Sequence, residues 1–302
     1  MYDIVIIGSG PAGLSSAIYA QRAGLKAVVI EKNYLGTGQI AESERVDNYP
    51  GLYGENGFDL GEKFRSHAES LGAEFVEGEV TEIIPNNNDY SIKLDNGNTI
   101  DTHTVIYAVG TERRKLMVEG EKEFSGRGVS YCAVCDAAFY KDKVTAVAGG
   151  GDTALGDAAL LSKFAKKVYL IHRRDKFRAN KTLQQKVESI PNVEILLDSQ
   201  ITKISGANKV ESISVLQNGN ANEIKVDGVF VAVGSVPNSA LLKDLADIDS
   251  NGYVIADEDG ITSAKGIFVA GDVRTKKLRQ VVTAVSDGAN CVLSAENYLE
   301  NK

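Results

Sequence analysis

The strongest constraint on this chain is that it contains one pattern twice. "DIVIIGSGPAGLSSAIYAQRAGLKAVVIEK" starts at Asp3, and "KVTAVAGGGDTALGDAALLSKFAKKVYLIHRR" starts at Lys143. At a single offset Gly8 falls on Gly149, Gly10 on Gly151, Gly13 on Ala154 and Glu31 on His172. Each copy reads as strand, glycine turn, helix, strand. "IVII" and "VTAVA" are β-rich apolar runs that suit buried parallel strands. The stretches after each turn carry apolar residues at helical spacing, Gly24 is expected to cap the first helix, and "AVVIE" and "VYLIH" are the second strands. An isolated G-x-G-x-x-G says little. One that follows a strand, opens a helix and leads to a second strand is the dinucleotide-binding fingerprint. Gly8 serves the sharp turn and Gly10 the close approach of a pyrophosphate. Gly13 and Ala154 let helix and strand pack closely, and each helix N-terminus offers free N–H groups to phosphate.

A second echo extends the duplication. "TVIYAVG" (104–110) resembles "GVFVAVG" (228–234), and a related "IFVAGDV" runs over 267–273. The expected fold is α/β with two Rossmann-like dinucleotide-binding domains. One is built from residues 1–112 and 240–302, with the other, 115–237, inserted into it. The linkers are expected near Thr111–Lys115 and Pro237–Ala240. Thirty glycines against five prolines fit tight turns rather than disordered connections.

The two second strands end differently. Glu31 can accept hydrogen bonds from ribose hydroxyls and repels an added phosphate. Its counterpart is His172, followed by Arg173, Arg174 and then Arg178. Guanidinium forks match phosphate geometry and stay charged, so the second site reads as an NADPH site. The alternative there is a solvated charge run at a helix start. The first copy is assigned FAD. Its extra loop, "NYLGTGQIAESERVDNYPG", can cover a long flavin-bearing dinucleotide, and Asp272 is placed for ribityl hydroxyls. FAD also suits chemistry that joins a hydride donor to a dithiol.

Cys132 and Cys135, in "SYCAVCDAAF", fall inside the inserted unit. Three readings compete. Zinc needs about four ligands, and Cys291 with His67, His103 and His172 shows no ligand spacing, so no metal is expected. Inert core thiols are the second reading. The third is a redox pair, in which C-x-x-C thiols close a small ring and Asp136 carries a proton to or from a departing thiolate. Asp136 as a helix N-cap is the plainer alternative, and both can hold. Cys291, on an amphipathic C-terminal run, reads as a core residue. The net charge of −8 and pI near 5.1 speak against nucleic acid. There is no basic leader before Asp3 and no apolar run of about 18 residues. Few cysteines fit a reducing compartment, so a soluble cytoplasmic protein is expected.

With these residues in hand, the chain resembles the low-molecular-weight thioredoxin reductases. "GSGPAGLSSAIYA", "GTGQ", "DNYPG", "CAVCD", "GGGDTA", "HRRDKFRANK", "AGDV" and "RQVVTAVSDGA" carry the resemblance, in order, over essentially the whole chain. It implies a homodimeric enzyme that uses NADPH and FAD to reduce thioredoxin. Cys135 would lie against the isoalloxazine, Cys132 would attack the thioredoxin disulfide and Asp136 would be the acid. FAD would be contacted by Gly8, Gly10, Pro11, Ala12, Glu31, Gly38, Gln39, Asn48, Gly110, Gly271, Asp272, Arg279, Gln280 and Val281. NADPH would meet Gly151, Asp152, Thr153, His172, Arg173, Arg174 and Arg178. The chain departs from the family at Gly156-Asp157, where a Glu-Glu pair is usual, at Ala137 in place of a glycine, and at Thr37 in the "GGQ" turn. Because dithiol and nicotinamide share one domain yet must both reach one flavin, the inserted domain is expected to rotate between half-reactions. The competing functions are a ferredoxin-linked thioredoxin reductase, a ferredoxin–NADP oxidoreductase with incidental cysteines, and a nucleotide-binding redox sensor that does not turn over.

Overall fold

A computed structural model describes all of the 302 residues except Tyr34, Leu35, Glu44 and Asn218. The repeat folds as its pattern demands. Tyr2–Ile7 (β1) runs to Gly10, Pro11–Arg22 forms α1, and Ala27–Glu31 forms β2. Proline suits the first helical position, where its missing N–H would lack a partner anyway. The helix ends at Ala23, and Gly24 then takes a left-handed φ of +72°. The Gly24 N–H donates to the Gln21 carbonyl and the Leu25 N–H to the Ala20 carbonyl, so both free carbonyls are satisfied.

The chain continues through Gly57–Ser70 (α2), Glu74–Glu77 (β3), Val80–Asn86 (β4), Asp89–Leu94 (β5), Thr99–Tyr107 (β6) and Thr111–Arg113 (β7). The inserted segment supplies Val129–Ser130 (β8), Ala133–Asp136 (α3), Val144–Ala148 (β9), Asp152–Leu161 (α4), Lys167–Ile171 (β10), Lys181–Glu188 (α5) and Val193–Leu196 (β11). Ser199–Gly206 (β12), Val210–Gln217 (β13), Asn220–Lys225 (β14), Gly228–Val231 (β15) and Ser235–Pro237 (β16) follow. Ile267–Val269 (β17) and Val281–Glu300 (α6) close the chain.

These elements make two compact units, a composite unit of Met1–Glu112 with Val236–Lys302 and an inserted unit of Arg113–Ser235. The composite unit holds a seven-stranded sheet ordered β3-β2-β1-β6-β5-β4, with β17 also on β6. Pairing is parallel around β1, β2, β3 and β17 and antiparallel through β4, β5 and β6. Side chains alternate faces along a strand. Val5, Ile7, Val28, Ile30 and Val105 therefore enter one apolar cluster, while Ile4, Ile6, Val29 and Ile106 enter another with α1 and α6. Each such burial contributes roughly 1.5–3 kcal/mol. The inserted unit repeats the plan with a five-stranded parallel sheet, β11-β10-β9-β15-β8, and adds an antiparallel β12-β13-β14 sheet. Val147, Leu170 and Phe230 face one cluster and Ala146, Ile171 and Val229 the other.

The chain crosses between units at β7 and β16, which pair with each other. Residues just after β16 are held in the composite unit, where the Asn238 N–H donates to the Gly110 carbonyl and the Tyr107 hydroxyl to the Asn238 carbonyl. In the same unit α6 lies on α1. A Cβ at Gly288 would sit 2.2 Å from the Ala12 carbonyl oxygen, and the Ser15 and Ser16 hydroxyls donate to the carbonyls of Val285 and Gly288. Cys291 is fully buried in this contact, and burial pushes its thiol pKa up. Among the described residues no helix is long and apolar enough to cross a membrane.

Candidate active site

The two cysteines sit where β8 gives way to α3. β8 joins the parallel sheet of the inserted unit through β15, and Ala133 of α3 and Ala137 just after it are buried against Ala154, Leu155 and Ala158 of α4. The pair is therefore anchored to the helix that opens the second glycine fingerprint. Cys132 and Cys135 form a disulfide with a Cα–Cα distance of 5.3 Å. Cys132 is the N-cap of α3, and its Sγ accepts the Cys135 N–H at 3.2 Å. That contact favours a thiolate at Cys132 once the disulfide opens. Val134, between the cysteines, and Phe139 are exposed, so the turn faces solvent over an apolar rim.

Asp136 caps nothing with its side chain. The Ser130 hydroxyl donates to Asp136 Oδ2 at 2.5 Å, and the Cys132 N–H donates to Ser130 Oγ at 3.1 Å. Asp136 thus stands at the N-cap position of the short 3-10 turn Ala137–Tyr140, while its side chain links to the strand before the cysteines. Sequence reading missed Ser130, whose only signal was its place two residues before Cys132. It also missed buried Glu121, which accepts the N–H groups of Leu116 and Met117 and the hydroxyl of Tyr131. Ala137 is buried at the end of α3, and Gly156 lies within α4 without interrupting it. Asp157 beside it is partly buried, which pushes its carboxyl up to about 7.

Two glycine turns open helices whose starts are uncapped. Gly10 and Gly151 are the N-caps of α1 and α4, and neither helix start carries a side-chain cap. The first-turn N–H groups stay available to an anion. A Cβ on Gly151 would meet nothing within 4 Å, and one on Gly10 would meet only the Gly38 Cα at 3.8 Å. Both cradles are therefore open as well as uncapped, which fits a dinucleotide in each.

In the composite unit Pro11 and Ala12 begin α1, and a Cβ on Gly271 would approach the Ala12 Cβ to 3.1 Å. Asp272 follows Gly271 at this junction. Glu31 closes the far side, its carboxylate accepting the Ser9 N–H and hydroxyl, both at 2.9 Å, and the Asn33 N–H. Gln39 donates to the Thr111 carbonyl, Asn48 donates to Gln280 at 2.8 Å, and Gln280 caps α6 immediately before Val281. The Arg279 guanidinium lies over the Tyr253 ring and donates to the Asp272 carbonyl. The expected cofactor residues Gly8, Gly10, Pro11, Ala12, Gly38, Gly271 and Asp272 thus gather at one end of α1. Gly110 follows the end of β6 and holds the second linker through Asn238. Of the covering loop, Tyr34, Leu35 and Glu44 lie outside the described residues. Sequence reading also missed the cluster beneath Gly271. Asp287 accepts the Gly271 N–H, the Arg274 guanidinium and the Lys276 ammonium, all buried together.

In the inserted unit Arg173, Arg174 and Arg178 are exposed, and no acidic side chain among the described residues pairs with them. Thr153 is exposed with Asp152 at the start of α4, and Asp152 accepts two hydrogen bonds from Asn180, the N-cap of α5. His172 is placed differently. It is 6% exposed, lies beneath Gly150, stacks on Phe177, and its Nε2 meets the Lys176 carbonyl. Burial, with the three nearby arginines, pushes its pKa down. The Arg178 N–H reaches the Gly150 carbonyl, so the arginine loop is tied directly to the glycine turn. Among the described residues no group of three or more His, Cys, Asp and Glu side chains is arranged for a metal ion.

Comparison with known proteins agrees with this geometry. The sequence profile of the pyridine nucleotide-disulphide oxidoreductases matches residues 2–288. The chain is 41% identical to the thioredoxin reductase of Listeria innocua serovar 6a, over 99% of this chain and 94% of that protein. It is also 41% identical to the thioredoxin reductase of Bacillus subtilis, over 99% and 95%. The crystal structure of thioredoxin reductase from Streptococcus pyogenes superposes with a TM-score of 0.94 at 40% identity, over 100% of this chain and 99% of that one. Lactococcus lactis thioredoxin reductase, in its FR conformation, gives 0.69 at 37% identity, with both chains fully covered.

Proposed function

This chain belongs to the pyridine nucleotide-disulphide oxidoreductase family as a low-molecular-weight thioredoxin reductase, and from that premise we propose that it uses NADPH and FAD to reduce the disulfide of thioredoxin. The single observation that carries the reading is the Cys132–Cys135 disulfide, set on the helix that abuts the inserted unit's phosphate cradle. We assign FAD to the composite unit and NADPH to the inserted one. Bound FAD would supply the two-electron relay between a hydride donor and a disulfide. Gly10, Pro11 and Ala12 would hold its pyrophosphate, Glu31 its ribose and Asp272 its ribityl chain. Arg173, Arg174 and Arg178 would clasp the 2′-phosphate of NADPH, which favours that donor over NADH or ferredoxin.

The remaining steps belong to the protein's own residues. Two electrons from the hydride donor, with one proton from that donor and one from solvent, open the disulfide to Cys132 and Cys135 thiols. Cys132 gives its proton to Asp136 and attacks one sulfur of thioredoxin, and the released thioredoxin sulfur takes that proton. Cys135 then gives up its proton by the same route and attacks Cys132, which frees the second thioredoxin sulfur. The disulfide is restored, and thioredoxin leaves as a dithiol with two electrons and two protons gained. The inserted unit turns on the β7 and β16 linkers between half-reactions. We take the working form as a cytoplasmic homodimer, a reading that rests on the family resemblance.

Cys135→Ser tests the scheme. NADPH is expected still to bleach the flavin in this variant, while thioredoxin reduction followed with a thiol reagent disappears. Thioredoxin turnover that survives the substitution would show the cysteines to be incidental. Comparing NADPH, NADH and reduced ferredoxin in the same assay decides the donor.

A further inference from the structure

Asp136 is joined to the strand before the cysteines by a hydrogen bond of 2.5 Å from the Ser130 hydroxyl, a length usual for a charge-assisted contact to a carboxylate oxygen. Ser130 is 7% exposed and lies on β8, whose pairing with β15 fixes its direction. Its oxygen also accepts the Cys132 N–H at 3.1 Å. One hydroxyl therefore holds two ends of the redox turn, the backbone of the attacking cysteine and the carboxylate of the proton carrier. The geometry points to Ser130 as the positioning residue of the dithiol reaction: it holds Asp136 at the cysteine turn and stabilises its ionised form, so that Asp136 is ready to take the next thiol proton. This deepens the proposed function and rests on Asp136 as the proton carrier.

The proton balance follows. In each exchange step a thiol proton moves to the Asp136 carboxylate and from there to a departing sulfur. Asp136 must be ionised before each acceptance. A donated hydroxyl hydrogen bond favours that form, and its loss delays ionisation to higher pH. Other titratable and charged groups on the turn and against it include Tyr131, Cys132, Cys135 and Tyr140, Glu121 and Arg113 on Tyr131, and Asp152 and Asp157 of α4. Asp157 is the one that burial brings near neutral pH, and it needs its own control.

The test is a pH profile of single-turnover oxidation of the reduced holoenzyme by thioredoxin, followed by rapid mixing. In Ser130→Ala the ionisation that governs the rate is expected to move up by about one pH unit, with the rate on the acid side of the midpoint about tenfold lower and the plateau above it unchanged. Ser130→Thr, which keeps the hydroxyl, is expected to restore most of both. Asp157→Asn is expected to leave the midpoint in place, and Asp136→Asn to remove that ionisation. A purely structural role for Ser130 would lower melting temperature or plateau rate without moving the midpoint. An unmoved midpoint in Ser130→Ala, or no rescue by Ser130→Thr, overturns the proposal. A midpoint that follows Asp157→Asn assigns the ionisation to α4 and overturns it too. If Asp136→Asn keeps the wild-type profile, the proton-carrier reading itself fails, separately from the role of Ser130.

Discussion

Asp287 shows how one side chain can hold a binding turn from below. Burial alone would raise its pKa, but the hydrogen bonds and charges of Arg274 and Lys276 outweigh that and leave it below the usual carboxylate range. A carboxylate with a depressed pKa lends stability above its unfolded value, near 4. That stability is lost as pH falls through the folded value. Arg274 and Lys276 have side chains only 2% and 5% exposed, and among the described residues the exposed Glu258 is the one other acid paired with Arg274. Asp287→Asn leaves two buried cations short of a counter-charge and is expected to cost about 3–5 kcal/mol at pH 7. Thermal melts at neutral and acid pH check this: the wild type should lose stability towards pH 3, and the variant should lack most of that acid limb. Flavin should also leave the variant earlier in the melt, because the Gly271 N–H loses its anchor.

Two elements carry separate expectations. The segment from His172 to Arg178 is pinned at both ends, by His172 beneath Gly150 and by the Arg178 N–H on the Gly150 carbonyl. The backbone that carries the three arginines is thus held in place, so the ordering left for a nucleotide to impose is mainly that of the side chains. Replacing Arg173 and Arg174 together by alanine removes two charge-assisted bonds of about 1.5–3 kcal/mol each. The ratio of kcat/KM for NADPH over NADH should fall by at least about a hundredfold, with thioredoxin KM unchanged. The second element is the α1–α6 contact. Gly288→Val forces a side chain against the Ala12 carbonyl, 2.2 Å from where its Cβ would stand. Overpacking of that kind costs about 1–3 kcal/mol, and calorimetry with flavin fluorescence should show a lower melting temperature and looser cofactor. Helices, strands and glycine turns such as these were readable because they depend on local period and on residues that tolerate few alternatives. The arginine cluster was readable by its charge, yet the burial of His172 was not, because it depends on Gly150, which is distant along the chain. Ser130 and Glu121 escaped for another reason: their partners lie close in sequence, but a hydroxyl or carboxylate beside a loop leaves no period or motif to mark it. Asp287 escaped because its partners Gly271, Arg274 and Lys276 sit on the preceding loop, outside the helix that carries it.

For the whole molecule, the division into two units with β7 and β16 between them makes turnover a question of movement. If the dithiol and the nicotinamide take turns at one flavin, a covalent tether between the units must stop the cycle. Engineered cysteines, one in each unit and joined by a short bifunctional reagent, should leave one half-reaction intact in stopped-flow flavin absorbance. Steady-state reduction of thioredoxin should stop, and cleaving the tether should restore it. Undiminished turnover in the tethered protein would remove the need for rotation.

The partnership of β17 with β6 and of α6 with α1 also sets a timetable for birth on the ribosome. The inserted unit is one continuous stretch and can mature while synthesis proceeds. The composite unit cannot, since its sheet lacks β17 and its first helix lacks a companion until the last segment has left the exit tunnel. The first segment of the protein to be made is therefore the last to be finished, and truncation near the C-terminus should yield a chain unable to retain its yellow colour.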